Sequence, residues 1–145
     1  MFLAEAIKEK DYIDESIRNL QHHITIMSTI VDEDTVNGYM KELDELYNRY
    51  QKFSISIERS KNSAFIKLND TKVSLSDAFV IKESMEYKLK VYENIISDVL
   101  IYAKESGEES CLDLDYLFGE TEKIRLDIKT IGGEIDYALW RIEAS

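Results

Sequence analysis

The sequence predicts an all-α chain: two long antiparallel helical hairpins, closed as a four-helix bundle or paired like coiled coils, joined by a short β-ribbon. Three observations carry this. Four long segments repeat apolar side chains at alternating steps of three and four, the spacing of one helix face. Proline is absent and glycine occurs five times in 145 residues, a composition that long helices tolerate and a turn-rich sheet protein does not. One stretch, Asn62 to Phe79, departs from helical spacing without being a hinge or an end.

The first helix is expected from about Leu3 to Ile30. Its seam is Leu3, Ala6, Lys10, Ile13, Ile17, Leu20, Ile24 and Met27, with Lys10 alone off pattern. Ile7, Ile26 and Ile30 widen the stripe, which suits a bundle better than an isolated two-stranded coil. Val31-Asp32-Glu33-Asp34 follows as a short turn, so the next helix should be an antiparallel neighbour. Asp34 or Thr35 can cap that helix, and acids there favour its positive end.

The second helix is expected from about Thr35 to Lys61, on Val36, Tyr39, Leu43, Leu46, Tyr50, Phe53 and Ile57. Phe53 to Ile57 alternates like a strand, but the seam runs through it and the helical reading is kept.

The central stretch reads differently. Phe65-Ile66-Lys67-Leu68 is a short β-prone run, Asn69-Asp70 has turn chemistry, and Thr71-Lys72-Val73 can pair back. Such a ribbon is marginal alone and needs a helix or another chain to lean on. Phe65, Ile66, Leu68, Asn69, Asp70 and Val73 are the candidate partner surface. Ser74, with Asp77 three residues on, reads as a helix start, and Ser76 is a rival cap.

The third helix is expected from about Ser76 to Lys104. Ala78, Lys82, Met85, Leu89, Tyr92, Ile96, Val99 and Ala103 form its seam, broadened by Phe79, Ile81, Ile95 and Leu100. Glu105 to Ser110 is a polar loop in which Gly107 can end the helix. The fourth helix is expected from about Asp113 to Glu143, on Leu114, Leu117, Thr121, Ile124, Ile128, Ile131, Ile135, Ala138 and Ile142. Gly119, Gly132 and Gly133 lie inside it and mark close packing or a local bend, and Trp140 should anchor its end. The whole, residues 1–145, is read as a single helical domain.

Charge narrows the function classes. The net charge is −11, and beyond Lys104 eleven acids face four bases. No basic patch stands out, so no nucleic-acid partner is expected, and an anionic membrane surface is disfavoured. No apolar run approaches the ~20 residues of a membrane span, and the N-terminal residues lack the apolar core of a signal peptide. A single cysteine, Cys111, fits a reducing compartment, so a cytoplasmic protein is expected.

The chemistry-bearing residues do not assemble into a site. His22 and His23 are adjacent and point about 100° apart on a helix, too far to grip one ion together. Di-iron bundles carry Glu-x-x-His on inner faces, and that spacing does not occur here. The carboxylate pairs Glu42 with Glu45 and Glu83 with Glu86 lie off the seams, whereas a catalytic pair needs burial. Gly132-Gly133 sits inside a helix, not after a strand as a phosphate loop does. Glu108, Glu109 and Asp113 near Cys111 oppose a thiolate. We therefore expect no catalytic, cofactor-binding or metal-ligating residue. Tyr39, Tyr50 and Tyr92 fall on seams, whereas Tyr12, Tyr87, Tyr102, Tyr116 and Tyr137 have no place on a seam and are candidate partner contacts.

The opening Phe2-Leu3-Ala4-Glu5-Ala6, the run Asn62-Ser63-Ala64-Phe65 through Leu68-Asn69-Asp70 to Val73-Ser74-Leu75-Ser76-Asp77-Ala78, and the closing Ile135 to Ile142 with Trp140 resemble the small septicolysin-like family of bacterial proteins. The chain departs from that pattern in two places. Its turn lacks the glycine after Asp70, and acidic Glu105 to Asp115 replaces a basic segment before the last helix. The resemblance implies a helical, oligomeric bacterial protein, and the family name suggests a cytolysin. The expected function is a non-enzymatic helical oligomerisation or interaction protein, assembling as a homo-oligomer. The alternatives are a membrane-active protein, as the family name implies, and an enzyme built from acids at an oligomer interface.

Overall fold

A computed structural model describes all residues, Met1–Ser145. The chain forms four helices, α1 (Leu3–Met27), α2 (Glu33–Ser63), α3 (Leu75–Ser106) and α4 (Leu114–Leu139), with strands β1 (Phe65–Leu68) and β2 (Thr71–Ser74) between α2 and α3. This is the all-α architecture of helical hairpins and ribbon that the spacing predicts. The residues group into two compact units, Met1–Ala64 with Ala138–Ser145, and Phe65–Tyr137.

In the first unit α1 and α2 lie antiparallel. Arg49 pairs with Glu9 at 3.1 Å, the Lys10 ammonium stands 5.2 Å from the Tyr50 ring, and His23 meets the edge of Tyr39 at 5.0 Å. These pairs fix one register along most of the hairpin. Every predicted seam residue of both helices is buried or half-buried, with Leu3, Ala6, Ile13 and Ile57 fully enclosed. Lys10 keeps its place on the seam by laying its stem along the face and its charge over Tyr50.

The helix ends follow local hydrogen bonds that spacing does not encode. α1 stops at Met27, not Ile30, because Ile30 and Val31 both donate to the Met27 carbonyl and close a tight turn. α2 starts at Glu33, earlier than expected, because Asp32 is the cap and accepts from Thr35 N–H at 2.8 Å. Hydrogen bonding from Thr35, side chain first and backbone second, holds the Asp32 carboxyl below its ordinary value. The strand-like Phe53 to Ile57 is helical, as the seam requires, and α2 continues to Ser63.

α4 ends at Leu139, not Glu143. The residues beyond it pair with the opening of α1: Leu3 N–H donates to the Ile142 carbonyl at 2.7 Å and Ala144 N–H to the Met1 carbonyl at 3.0 Å. Extended pairing between Phe2 and Glu143 therefore replaces the last helical turn. Trp140 is exposed, with the Lys8 ammonium 4.6 Å from its ring, so backbone pairing holds this end rather than the buried anchor that its place implies. Ser60, fully buried on α2, donates to the Ser56 carbonyl and accepts from Ser145 N–H at 2.9 Å.

In the second unit the ribbon leads straight into α3. Ser74 is the cap rather than its rival Ser76, accepting from Asp77 N–H at 3.0 Å, so α3 begins at Leu75. Gly107, at φ +70°, closes the far end, a left-handed position that glycine holds without steric cost. Asp113 caps α4 by accepting from Tyr116 N–H at 3.1 Å. Arg125 on α4 pairs with Glu93 on α3 at 2.9 Å and with Glu122 on its own helix. Hydrogen bonds to Glu93, and secondarily Glu122, raise its already high pKa. A Cβ at Gly132 would stand 3.7 Å from the Lys82 side chain, an ordinary contact, and one at Gly119 or Gly133 would meet nothing within 4 Å, so these glycines do not mark the close packing that the sequence suggests. The approach of Arg125 to Glu93 and of Gly132 to Lys82 makes α3 and α4 antiparallel neighbours. Their seam residues are again buried or half-buried throughout, most deeply Leu75, Ala78, Ile96, Thr121, Ile124, Ile131 and Ile135.

Candidate functional site

The ribbon is the only departure from helix long enough to present its own surface. Its strands pair in register, Phe65 with Ser74, Ile66 with Val73, Lys67 with Lys72 and Leu68 with Thr71. Side chains alternate across the pleat, so the six candidate residues divide. Ile66 is buried, and Leu68 and Val73 are half-buried on the same inner face. Phe65, Asn69 and Asp70 are exposed. The partner-accessible set is thus Phe65 and the tip, while Ile66 holds the ribbon to the rest of its unit.

Asn69 and Asp70 have φ of +50° and +65°. Two consecutive left-handed residues make the tight primed turn that matches the twist of a two-stranded ribbon. Asparagine and aspartate tolerate this because their short side chains bond locally. Glycine is the better residue at the second position. Asp70→Gly should therefore stabilise the fold by about 0.5–1 kcal/mol, read as a raised denaturant midpoint with an unchanged slope. An unchanged or lowered midpoint would mean that Asp70 makes a compensating interaction.

The outer face carries a feature that the sequence reading passed over. Lys67 and Lys72 are directly opposite one another, and the Lys72 ammonium lies 4.4 Å from the Phe65 ring. Like charges opposed across a ribbon are destabilising; here the aromatic ring offsets part of that. The result is a small basic and aromatic face on a chain of net charge −11. The one-residue alternation of Phe65, Lys67 and Lys72 with their inward neighbours was the signal for it.

Beside the tip is a cleft of about 230 Å³ lined by Lys67, Leu68, Asn69, Met85, Asp127, Thr130, Ile131 and Glu134. Drug-sized ligands occupy roughly 300–1,000 Å³, so this cleft accommodates a side chain or a small polar group. No three His, Cys, Asp or Glu side chains converge to hold a metal ion. His22 and His23 are exposed on α1, Cys111 is exposed beyond α3, and the acids Glu42, Glu45, Glu83 and Glu86 are exposed. No helix is long and apolar enough to cross a membrane. Comparison of the chain with family models, curated proteins and solved structures gives no match.

Proposed function

We propose that the chain is a non-enzymatic helical oligomerisation and interaction protein of the cytoplasm, assembling with copies of itself and meeting a further partner through the ribbon. What supports the reading is the amount of large apolar surface that each unit leaves open on its helices. Ile26, Met40 and Tyr47 are exposed in the first unit, and Tyr87, Ile101, Phe118 and Leu126 in the second. Single exposed apolar residues need no explanation, but extended patches mark association surfaces. The resemblance to the septicolysin-like family accords with an oligomer.

In this reading Phe65, Asn69 and Asp70 with Lys67 and Lys72 form the contact face of the ribbon, suited to an acidic partner surface. Helix association stabilises the folded chain by mass action, so the melting temperature should rise with protein concentration. Melting followed by circular dichroism over a hundredfold range of concentration tests this. A melting temperature that stays constant over the range would remove self-assembly from the reading.

A further inference from the structure

We propose that α3 pairs antiparallel with α3 of a second copy of this chain, about a two-fold axis at Val91. The proposal rests on the self-association reading above and specifies its interface.

α3 is apolar on two sides. Its seam, Ala78 to Ala103, faces inward. On the opposite side stand Val80, Tyr87, Val91, Ile95 and Tyr102. At 100° per residue these five, with Ser84 and Asp98 between them, fall within an arc of about 80°. Val80 is 59% exposed, Tyr87 71% and Tyr102 58%, with Ile95 exposed and Val91 half-buried. Val80, Tyr87, Ile95 and Tyr102 are open to solvent, an apolar stripe of the kind that marks an association surface.

The order of the stripe says what covers it. Read outward from Val91, the residues match in pairs: Tyr87 with Ile95, Ser84 with Asp98, and Val80 with Tyr102. An isologous antiparallel pair sets each residue against its mirror position. Every apolar residue then meets an apolar residue, and the one polar pair, Ser84 donating to Asp98, meets itself. Lys88 lies one turn from Asp98 of the second copy and adds a charged pair. Asp77 and Glu105 fall on the same arc beyond the ends of the stripe and oppose each other across the axis, so the apolar centre and the Lys88–Asp98 pair carry the association. Val80, Val91 and Tyr102 recur at eleven residues, a period that keeps paired helices nearly straight with a slight right-handed coil. The stripe is about 33 Å long at 1.5 Å per residue.

Cysteine cross-linking tests the register in full-length protein carrying Cys111→Ser. Val91→Cys should oxidise to a disulfide-linked dimer, because the two copies meet at that position. Tyr87→Cys alone should not, since its copy lies eight residues, or about 12 Å, along the helix, beyond disulfide reach. A mixture of Tyr87→Cys and Ile95→Cys should cross-link. Tyr87→Glu, at a site open to solvent in the single chain, should keep native helicity and halve the native mass. Two results overturn the antiparallel pairing while leaving self-association intact: a multimer that does not cross-link through Val91→Cys, or one that cross-links through Tyr87→Cys alone. A monomer at all concentrations overturns both.

Discussion

Replacing Ile13 by aspartate is expected to abolish the cooperative fold of the first unit. Ile13 sits at the middle of the α1 seam with no exposed surface. The one base on a neighbouring turn of the seam, Lys10, is engaged over the Tyr50 ring, and the turn ahead holds Ile17, so a carboxylate there has no ready partner. Burying an unpaired charge costs several kcal/mol even after relaxation. A domain of this size has about 5–15 kcal/mol in total, so one such change takes a large share of it. Far-ultraviolet circular dichroism should show lost helicity at 25 °C, or a denaturant midpoint lowered with an unchanged slope. Ile13→Val, which only trims a methyl group, should cost about 0.5–1.5 kcal/mol and keep the fold. Native helicity and an unshifted midpoint in the aspartate variant would mean that the seam is not the core.

Leu75→Ala is the second large effect, and it acts on the other unit. Leu75 is the first residue of α3, directly after the ribbon, and is fully buried. It follows the ribbon without a break, and both strands of the ribbon contact α3. Truncation removes burial and leaves a cavity, a loss of about 2–5 kcal/mol. The ribbon should loosen with it, because two strands alone are marginal. Amide exchange of Ile66 and Val73 should therefore accelerate along with the global midpoint shift. Lys129→Ala, on an exposed face of α4, should change stability by less than about 0.5 kcal/mol. Equal effects of the two substitutions would contradict the assignment of inner and outer faces.

The seams were legible because a packed helix pair enforces its period on every turn. Each predicted seam residue, including the off-pattern lysines Lys10 and Lys82, is buried or half-buried. The ribbon and its turn were legible for a different reason: Asn69-Asp70 is local chemistry, needing no knowledge of the rest of the chain. The helix ends were less so. Whether α4 continues to Glu143 depends on the Leu3 N–H, which donates to the Ile142 carbonyl, and on the Met1 carbonyl, which accepts from Ala144 N–H, both at the far end of the sequence, and no local spacing reports that. Nor does spacing separate Ser74 from Ser76 as a cap; the Asp77 N–H does.

The candidate partner surface was legible as a segment and not as a face. All six residues lie on the ribbon or its tip, but the pleat turns Ile66 inward and brings Lys67 and Lys72 outward beside Phe65. The outward stripe of α3 was partly visible in Tyr87 and Tyr102, two tyrosines without a place on the seam. Its eleven-residue recurrence is masked by the stronger seam on the same helix, since both stripes share residues of similar type.

The central claim is that the open apolar faces of the helices are completed by other copies of the chain. Light scattering on a sizing column, over a wide range of protein concentration, tests it most directly. The account predicts a native mass that is an integral multiple of 16.9 kDa, lowered for Tyr87→Glu. A particle of 16.9 kDa at every concentration would contradict it.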